Sequence, residues 1–147
     1  EVHEEIDIQQ ADFAYGIALA QPERRVLCLN GDGSTLMCLG TLVTITGRPA
    51  PNFTLIITEN GTYEVTGNQP VPGAGSVDFE GLARAAGVQE VYTIETEADF
   101  DAKLDLHFTA PGPAVFIWRI ERADEPVPKP SAAIRQRAHD LRDALAG

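Results

Sequence analysis

Asn30-Gly31-Asp32-Gly33-Ser34 is the stretch that decides the fold, because it directly follows an apolar run at residues 25–30. A second polar turn, Asn60-Gly61-Thr62, follows the β-rich run at 53–58. Continuous apolar runs of strand length are typical of a parallel sheet that helices cover on both faces. The carboxyl ends of neighbouring parallel strands meet at one edge of the sheet, so we expect the two polar turns to converge there.

The rest of the chain alternates between helix-like and strand-like segments. Helices are predicted at 11–20, 34–46, 78–86, 98–106 and 131–145, and further strands at 90–94 and 114–120. Ser34 and Asp78 are the expected N-caps, and Gly47 is the expected C-cap of the second helix. This order predicts an α/β fold, a three-layer sandwich with a mainly parallel sheet. Residues 1–123 are expected to form one domain, followed at 124–147 by a Pro-rich tether and a C-terminal helix.

The charge balance limits the classes of partner. The chain has 147 residues, with 11 Lys and Arg against 22 Asp and Glu, and a net charge of −11. Such a chain repels phosphate backbones and anionic lipid, so neither nucleic acid nor membrane is an expected partner. No apolar run approaches the roughly 20 residues that span a bilayer. No apolar segment follows the acidic N-terminus as a secretory signal requires, so we expect a cytoplasmic protein.

The cysteines and histidines show no pattern of their own. Cys28 and Cys38 lie in apolar surroundings and are predicted to be buried thiols rather than a disulfide. Their spacing does not match a zinc or iron–sulfur site. His3, His107 and His139 are far apart and are expected to be solvated or half-buried. Chemistry at this chain is therefore expected from the two polar turns.

The two turns carry the groups that a metal-bound diphosphate needs. Gly31 and Gly33 allow close backbone approach, and a helix starting at Ser34 would present free N–H groups to an anion. The Asp32 carboxylate, the Asn60 amide oxygen and a carbonyl just beyond it are hard oxygen ligands. They are too few for calcium but suit Mg²⁺, which accepts phosphate and water as its remaining ligands.

Gly31-Asp32-Gly33-Ser34 paired with Asn60 resembles the thiamine diphosphate motif. The surrounding segments 31–40 and 59–69 are similar to the cofactor-binding subunit or domain of sulfopyruvate and phosphonopyruvate decarboxylases, and the likeness extends over 14–120. It implies the thiamine diphosphate-binding fold, with thiamine diphosphate and Mg²⁺ as cofactors. By this resemblance the Mg²⁺ ligands would be the side chains of Asp32 and Asn60 and the backbone carbonyl of Thr62. The full cofactor-binding set would be Gly31, Asp32, Gly33, Ser34, Asn60, Thr62 and Tyr63.

The same resemblance implies a function. The chain would be the diphosphate- and Mg²⁺-binding subunit of an enzyme that converts a small anionic 2-oxoacid into an aldehyde and CO₂. Family members activate the cofactor with a glutamate on a pyrimidine-binding domain, for which 147 residues leave no room. A separate pyrimidine-binding, alpha-type subunit and a hetero-oligomer are therefore expected, and no catalytic residue is assigned here.

One departure and three alternatives accompany this interpretation. Family members usually carry a Gly-Ser-Met-Gly or similar segment before the first helix, whereas residues 6–10 contain no glycine, and an incomplete N-terminal segment is one explanation. The alternatives are an acetolactate synthase-like carboligase, a regulatory subunit without turnover, and a Rossmann-type dinucleotide-binding module. The Rossmann alternative would use Glu59 as the ribose-binding acid, but Leu36 occupies its third glycine position.

Overall fold

The computed structural model describes residues 10–122 and 134–146. The elements in chain order are α1 (Gln10–Ala20), β1 (Val26–Gly31), α2 (Asp32–Met37), α3 (Gly40–Gly47), β2 (Phe53–Glu59), β3 (Thr62–Tyr63), β4 (Gln69–Pro70), α4 (Phe79–Ala85), β5 (Glu90–Ile94), α5 (Glu97–Lys103), α6 (Leu106–Thr109), β6 (Ala114–Arg119) and α7 (Ile134–Ala146). None of the helices in these two ranges is long and apolar enough to cross a bilayer.

The main sheet has four strands in the order β1-β2-β6-β5, and every neighbouring pair is parallel. The register places Gly31 beside Thr58 and Glu59 beside Arg119, so the carboxyl ends of β1, β2 and β6 lie along one edge. Strands β3 and β4, which follow β2 in the chain, form a separate antiparallel pair. The predicted α/β fold with a parallel sheet is confirmed.

Helices cover both faces of this sheet. On one face α1, α3 and α4 contribute to a core that includes Tyr15 and Ile45. On the other face residues of α5 and α6 pack against a second cluster built on Ile56 and Phe116 of the strands. The central strand β2 is buried from Phe53 to Ile57, as expected for a strand covered on both sides. These layers confirm the three-layer sandwich.

Two predicted helices are each interrupted. The predicted helix 34–46 is α2 followed by α3, because the N–H of Cys38 bonds back to the carbonyls of Ser34 and Thr35, both at 3.2 Å, and closes α2 with a tight last turn. Gly31 rather than Ser34 is the N-cap, and Arg48 rather than Gly47 is the C-cap.

The predicted helix 98–106 is likewise α5 and α6. A capping box of Thr96 and Asp99 starts α5 one residue earlier than predicted. The predicted N-cap Asp78 is confirmed, since its side chain accepts from the N–H of Gly81 at 2.8 Å. The predicted tether at 124–130, the first residues of the predicted last helix and residues 1–9 lie outside the described residues, and the domain boundary stays a prediction.

Cationic side chains cover the outer edge of the sheet at β5. The carbonyl oxygen of Val91 accepts from Arg84 of α4 at 2.9 Å, and that of Thr93 accepts from Lys103 of α5 at 2.8 Å. At the opposite edge, on β1, Leu29 is 51% exposed. The two edges of the sheet therefore present different side chains, two cations at β5 and an exposed leucine at β1.

The thiols are only partly as predicted. Both cysteines remain thiols, Cys28 is buried, and burial raises its pKa to about 12. Cys38 is only partly buried, because α2 ends at its position and leaves one side open.

His107 is 2% exposed, so the prediction of a solvated or half-buried histidine is wrong for this residue. Its Nδ1 lies 3.0 Å from the carbonyl oxygen of Lys103, and its Nε2 accepts from the indole N–H of Trp118 at 2.9 Å. The ring stacks on Phe116 with a centroid distance of 3.9 Å. A neutral imidazole with its proton on Nδ1 satisfies both contacts. His139 is exposed as predicted, and His3 lies outside the described residues.

We expect His107→Ala to lower the free energy of unfolding by about 2–4 kcal/mol, because it removes a stacked ring and leaves the Trp118 N–H unpaired. His107→Phe keeps the ring and loses the hydrogen bonds, so its expected cost is about 1–2 kcal/mol. Urea unfolding followed by the fluorescence of Trp118, the single tryptophan, measures both. Equal losses in the two variants would contradict a contribution from the stacked ring.

Candidate active site

The two polar turns meet at the side chain of Asp32. One carboxylate oxygen accepts from the N–H of Gly33 at 2.7 Å, and the other accepts from the N–H of Gly61 at 2.7 Å. The convergence predicted from the parallel strands is thus observed, since Asp32 follows β1 and Gly61 follows β2. The carboxylate also lies in the first turn of α2, where the helix dipole favours a negative charge.

Asp32 is 2% exposed, so its carboxylate is buried although it lies at a turn between strand and helix. The reason is that α2 begins at Asp32 itself, which brings the side chain under the turn that follows β2. Two amide hydrogen bonds satisfy a buried carboxylate only in part, because its two oxygens offer about four lone-pair sites. Asp32 therefore keeps acceptor capacity that a cation can use.

The second turn is ordered by Asn60. Its side-chain oxygen accepts from the N–H of Thr62 at 2.9 Å and from the Thr62 hydroxyl at 3.4 Å, which folds the turn back on itself. Gly61 has φ +75°, a left-handed conformation that residues with a side chain adopt only at a cost. The amide oxygen of Asn60 is thereby held in one orientation.

Gly33 and Tyr63 are in direct contact. A Cβ placed on Gly33 would overlap the Tyr63 ring, lying against Cε1, 2.6 Å from Cδ1 and 3.1 Å from Cζ. Gly33 is buried, and Tyr63 and Ser34 are half-buried beside it. The absence of a side chain at Gly33 is what lets the Tyr63 ring lie over the start of α2.

Asn30 is a residue that the sequence analysis did not assign to the site. It is 5% exposed, its amide nitrogen donates to the Thr35 hydroxyl at 3.0 Å, and its Oδ1 has no hydrogen-bond partner. A buried acceptor without a donor costs about 1–3 kcal/mol. The one sequence feature that could have assigned Asn30 to the site is its position directly before Gly31-Asp32-Gly33.

A cavity of about 250 Å³ opens beside the two turns. Asp32 and Asn60 contribute to its wall, together with Glu59, Arg119 and the loop 71–75. Of the predicted site residues only Asp32 and Asn60 line this cavity, and it is not lined by Gly31, Gly33, Ser34, Thr62 or Tyr63.

Arg119 is a second residue that the sequence analysis missed. Its Nε lies 3.3 Å from a carboxylate oxygen of Glu59, and its Nη1 bonds to the Glu95 carboxylate. Partial burial lowers the pKa of Arg119, but the hydrogen bond to Glu59 and the charges of Glu59 and Glu95 raise it by more, so the net direction is upward. The guanidinium is therefore a permanent charge at the edge of the site.

The donor set suits a magnesium diphosphate group. Among residues 10–122 and 134–146, no cluster of three or more His, Cys, Asp and Glu side chains is placed to hold a metal ion. The Asp32 carboxylate and the Asn60 amide oxygen would therefore fill only a few of the coordination positions of a cation, and other ligands would fill the rest. Mg²⁺ is the ion that binds in this way, because it commonly completes its octahedron with water and substrate phosphates.

Comparison with known proteins gives matches over most of the chain. Residues 10–117 match the family described as "Thiamine pyrophosphate enzyme, C-terminal TPP binding domain". Sulfopyruvate decarboxylase subunit beta of Methanococcus maripaludis is 28% identical over 135 residues, which are 92% of this chain and 71% of that subunit.

Two longer enzymes match as well. Phosphonopyruvate decarboxylase of Streptomyces viridochromogenes is 31% identical over 105 residues, 71% of this chain and 26% of that enzyme. The acetolactate synthase isozyme 1 large subunit of Escherichia coli is 30% identical over 132 residues, 82% of this chain and 23% of that subunit. The chain thus spans only a minor part of both enzymes.

A solved structure has the same fold. It is the crystal structure of a Mycobacterium smegmatis protein assigned as a thiamin diphosphate-dependent enzyme, with a TM-score of 0.64 and 24% identity. The match covers 77% of this chain and 22% of that protein. At this identity the likeness supports the fold only.

Proposed function

Because the chain belongs to the thiamine pyrophosphate enzymes, in the family of their C-terminal TPP binding domain, we propose that it binds the diphosphate and Mg²⁺ in a 2-oxoacid decarboxylase. Thiamine pyrophosphate and thiamine diphosphate are the same cofactor. The observation that carries the proposal is the Asp32 carboxylate bonded to the N–H groups of Gly33 and Gly61. It brings an acid and the Asn60 turn together at the carboxyl edge of a parallel sheet, where α/β folds bind ligands.

Six residues of the site have proposed roles. The side chains of Asp32 and Asn60 and the carbonyl of Thr62 are the proposed Mg²⁺ ligands, with the cofactor diphosphate and water as the others. The N–H of Gly33 already donates to Asp32, so the proposed amide contact to the diphosphate falls to Ser34 in the first turn of α2. Gly31 and Gly33 have no side chains, and their proposed role is to let the diphosphate approach the backbone closely.

The remaining chemistry is divided between the cofactor and the protein. Bound thiamine diphosphate supplies the electron sink for the loss of CO₂ from a 2-oxoacid, leaving an aldehyde as the proposed product. This chain binds the charged end of the cofactor and fixes its orientation. The proposed substrates are small anionic 2-oxoacids, in keeping with the names of the sulfopyruvate and phosphonopyruvate decarboxylases among the relatives.

A partner chain is part of the proposal. The Methanococcus maripaludis relative is named a beta subunit, and we propose a pyrimidine-binding, alpha-type subunit as partner and a cytoplasmic hetero-oligomer. Large apolar side chains are exposed on α1, α2 and α3, with Phe13 at 48%, Met37 at 53% and Val43 at 62%, and α2 begins at the site. Exposed apolar side chains that share a surface are typical of protein–protein contacts. Ala18 of α1 is 1% exposed, so it packs inward and is not available to a partner.

An acetolactate synthase-like carboligase is a second candidate function, because the acetolactate synthase isozyme 1 large subunit of Escherichia coli matches 82% of this chain at 30% identity. The Rossmann alternative loses support, because Glu59 is engaged by Arg119 rather than open to a ribose. A regulatory subunit without turnover would share the same fold and site.

The test is CO₂ release from sulfopyruvate, phosphonopyruvate and pyruvate by this chain, with and without the candidate partner subunit. We expect release only with the partner, thiamine diphosphate and Mg²⁺ together, and loss of activity with EDTA, because neither chain encloses the cofactor by itself. Full turnover by the isolated chain would refute the two-chain proposal. Acetolactate formation from pyruvate would favour the carboligase, and cofactor binding without any turnover would favour the regulatory subunit.

A further inference from the structure

We propose that Arg119 is a positioning residue for the Asn60 turn and that it acts by holding Glu59, the residue directly before that turn. This inference rests on the proposed function, since it concerns the affinity of the same site for thiamine diphosphate and Mg²⁺. Arg119 itself is assigned no contact with cofactor or substrate.

A continuous series of contacts runs along the carboxyl edge of the sheet. Asp32 after β1 accepts from Gly61 at 2.7 Å, and the backbone carbonyl of Glu59 on β2 accepts from the N–H of Ile120 at 3.0 Å. Arg119 on β6 then contacts Glu59 at 3.3 Å and the Glu95 side chain after β5. The Asn60 turn lies between the Asp32 and Arg119 contacts and is held from both sides.

The two ion pairs of Arg119 differ in burial. The Glu59 side chain is 17% exposed, whereas the Glu95 side chain is 53% exposed and that of Arg119 is 51% exposed. Exposed pairs contribute little because water screens them, so the Glu59 pair is the one expected to matter.

Removal of Arg119 has a specific electrostatic consequence. Glu59 and Asp32 line the same cavity, and Arg119 contributes a positive charge to that wall. Without the guanidinium, the Glu59 carboxylate would be a half-buried, uncompensated charge next to the Asn60 turn and on the same wall as Asp32. Such a charge reorients toward water or toward a cation, and either movement displaces the backbone at Asn60.

The experiment measures thiamine diphosphate binding to the full chain, together with the candidate partner subunit, by calorimetry over a range of Mg²⁺ concentrations. Arg119→Met keeps the aliphatic stem and is expected to weaken the Mg²⁺-dependent affinity about tenfold, the lower end for residues that orient metal ligands. Arg119→Lys restores the charge and is expected to bind within about threefold of the unaltered chain. Glu95→Gln removes only the exposed partner and serves as the matched control, with unchanged affinity expected.

A double variant separates positioning from general destabilisation. If Arg119 acts through Glu59, then Glu59→Gln with Arg119→Met is expected to bind within about threefold of Glu59→Gln, because the charge to be held is gone. A merely structural role would make the two losses add, and additive losses would overturn the inference. Arg119→Gln replaces Arg119→Met in both arms if the methionine variant does not fold.

The outcomes also separate this inference from the function on which it rests. If the unaltered chain with the candidate partner subunit shows no Mg²⁺-dependent binding, the proposed function fails. If the unaltered chain binds and Arg119→Met binds equally well, the proposed function stands and the positioning role of Arg119 is overturned.

Discussion

Asp32→Asn is expected to weaken Mg²⁺-dependent binding of thiamine diphosphate more than about a hundredfold. Loss of a direct metal ligand lowers affinity more than loss of a residue that only orients ligands, and Asp32 is a proposed direct ligand. The variant keeps the size of the side chain and removes its charge. Its NH₂ group would also face the N–H of Gly33 or Gly61, which now donate to the carboxylate at 2.7 Å. The expected loss in the free energy of unfolding is about 1–3 kcal/mol.

The matched control is Asp101→Asn, the same change at an exposed position in α5. It should alter neither the affinity for the cofactor nor the thermal midpoint. Calorimetry with Mg²⁺ and with EDTA measures binding, and thermal unfolding measures stability. An Asp32→Asn variant that folds and binds thiamine diphosphate with unchanged Mg²⁺-dependent affinity would contradict the assignment of Asp32.

Gly33→Ala is expected to be the second most damaging change, because its Cβ would overlap the Tyr63 ring. Either the ring moves or the start of α2 moves, and both carry proposed cofactor contacts. Overpacking of this kind costs about 1–3 kcal/mol of stability. We expect cofactor binding to fall by at least about tenfold, since the displaced groups include proposed ligands on the Thr62–Tyr63 strand.

Two further variants locate the cause of this loss. Gly31→Ala meets nothing within 4 Å and has φ −70°, so it should leave the free energy of unfolding nearly unchanged. Tyr63→Ala removes the ring that the new Cβ would overlap, so adding Gly33→Ala to Tyr63→Ala should cost little further stability. A further loss as large as that of Gly33→Ala alone would show that the ring is not the obstacle.

Local pattern was sufficient to predict the core of this site. The runs before Asn30 and Asn60 are apolar and strand-like. The turns that follow contain glycine and asparagine, which suit turn conformations of the backbone, so neighbouring residues predict both the strands and the turns. Because the carboxyl ends of parallel strands lie at one edge of a sheet, the two turns were predicted to lie close together. The contact between Asp32 and Gly61 is the physical outcome.

The features that sequence could not predict depend on contacts between distant segments. Glu59 meets Arg119 because β2 and β6 pair in one register, and nothing in the residues around either one specifies that register. His107 of α6 is buried because Phe116 and Trp118 pack against it from strand β6. The break after α2 lies at Cys38, whose backbone leaves the helical conformation with φ −127° and ψ 44°.

The unequal edges of the sheet bear on how this protein avoids self-association. An open edge strand is a template for another chain, and proteins often block it with lysine or arginine. Arg84 and Lys103 occupy the carbonyls of Val91 and Thr93, so an incoming strand would have to displace two charged donors to pair with β5. The structure therefore carries a charged barrier to strand pairing at the β5 edge.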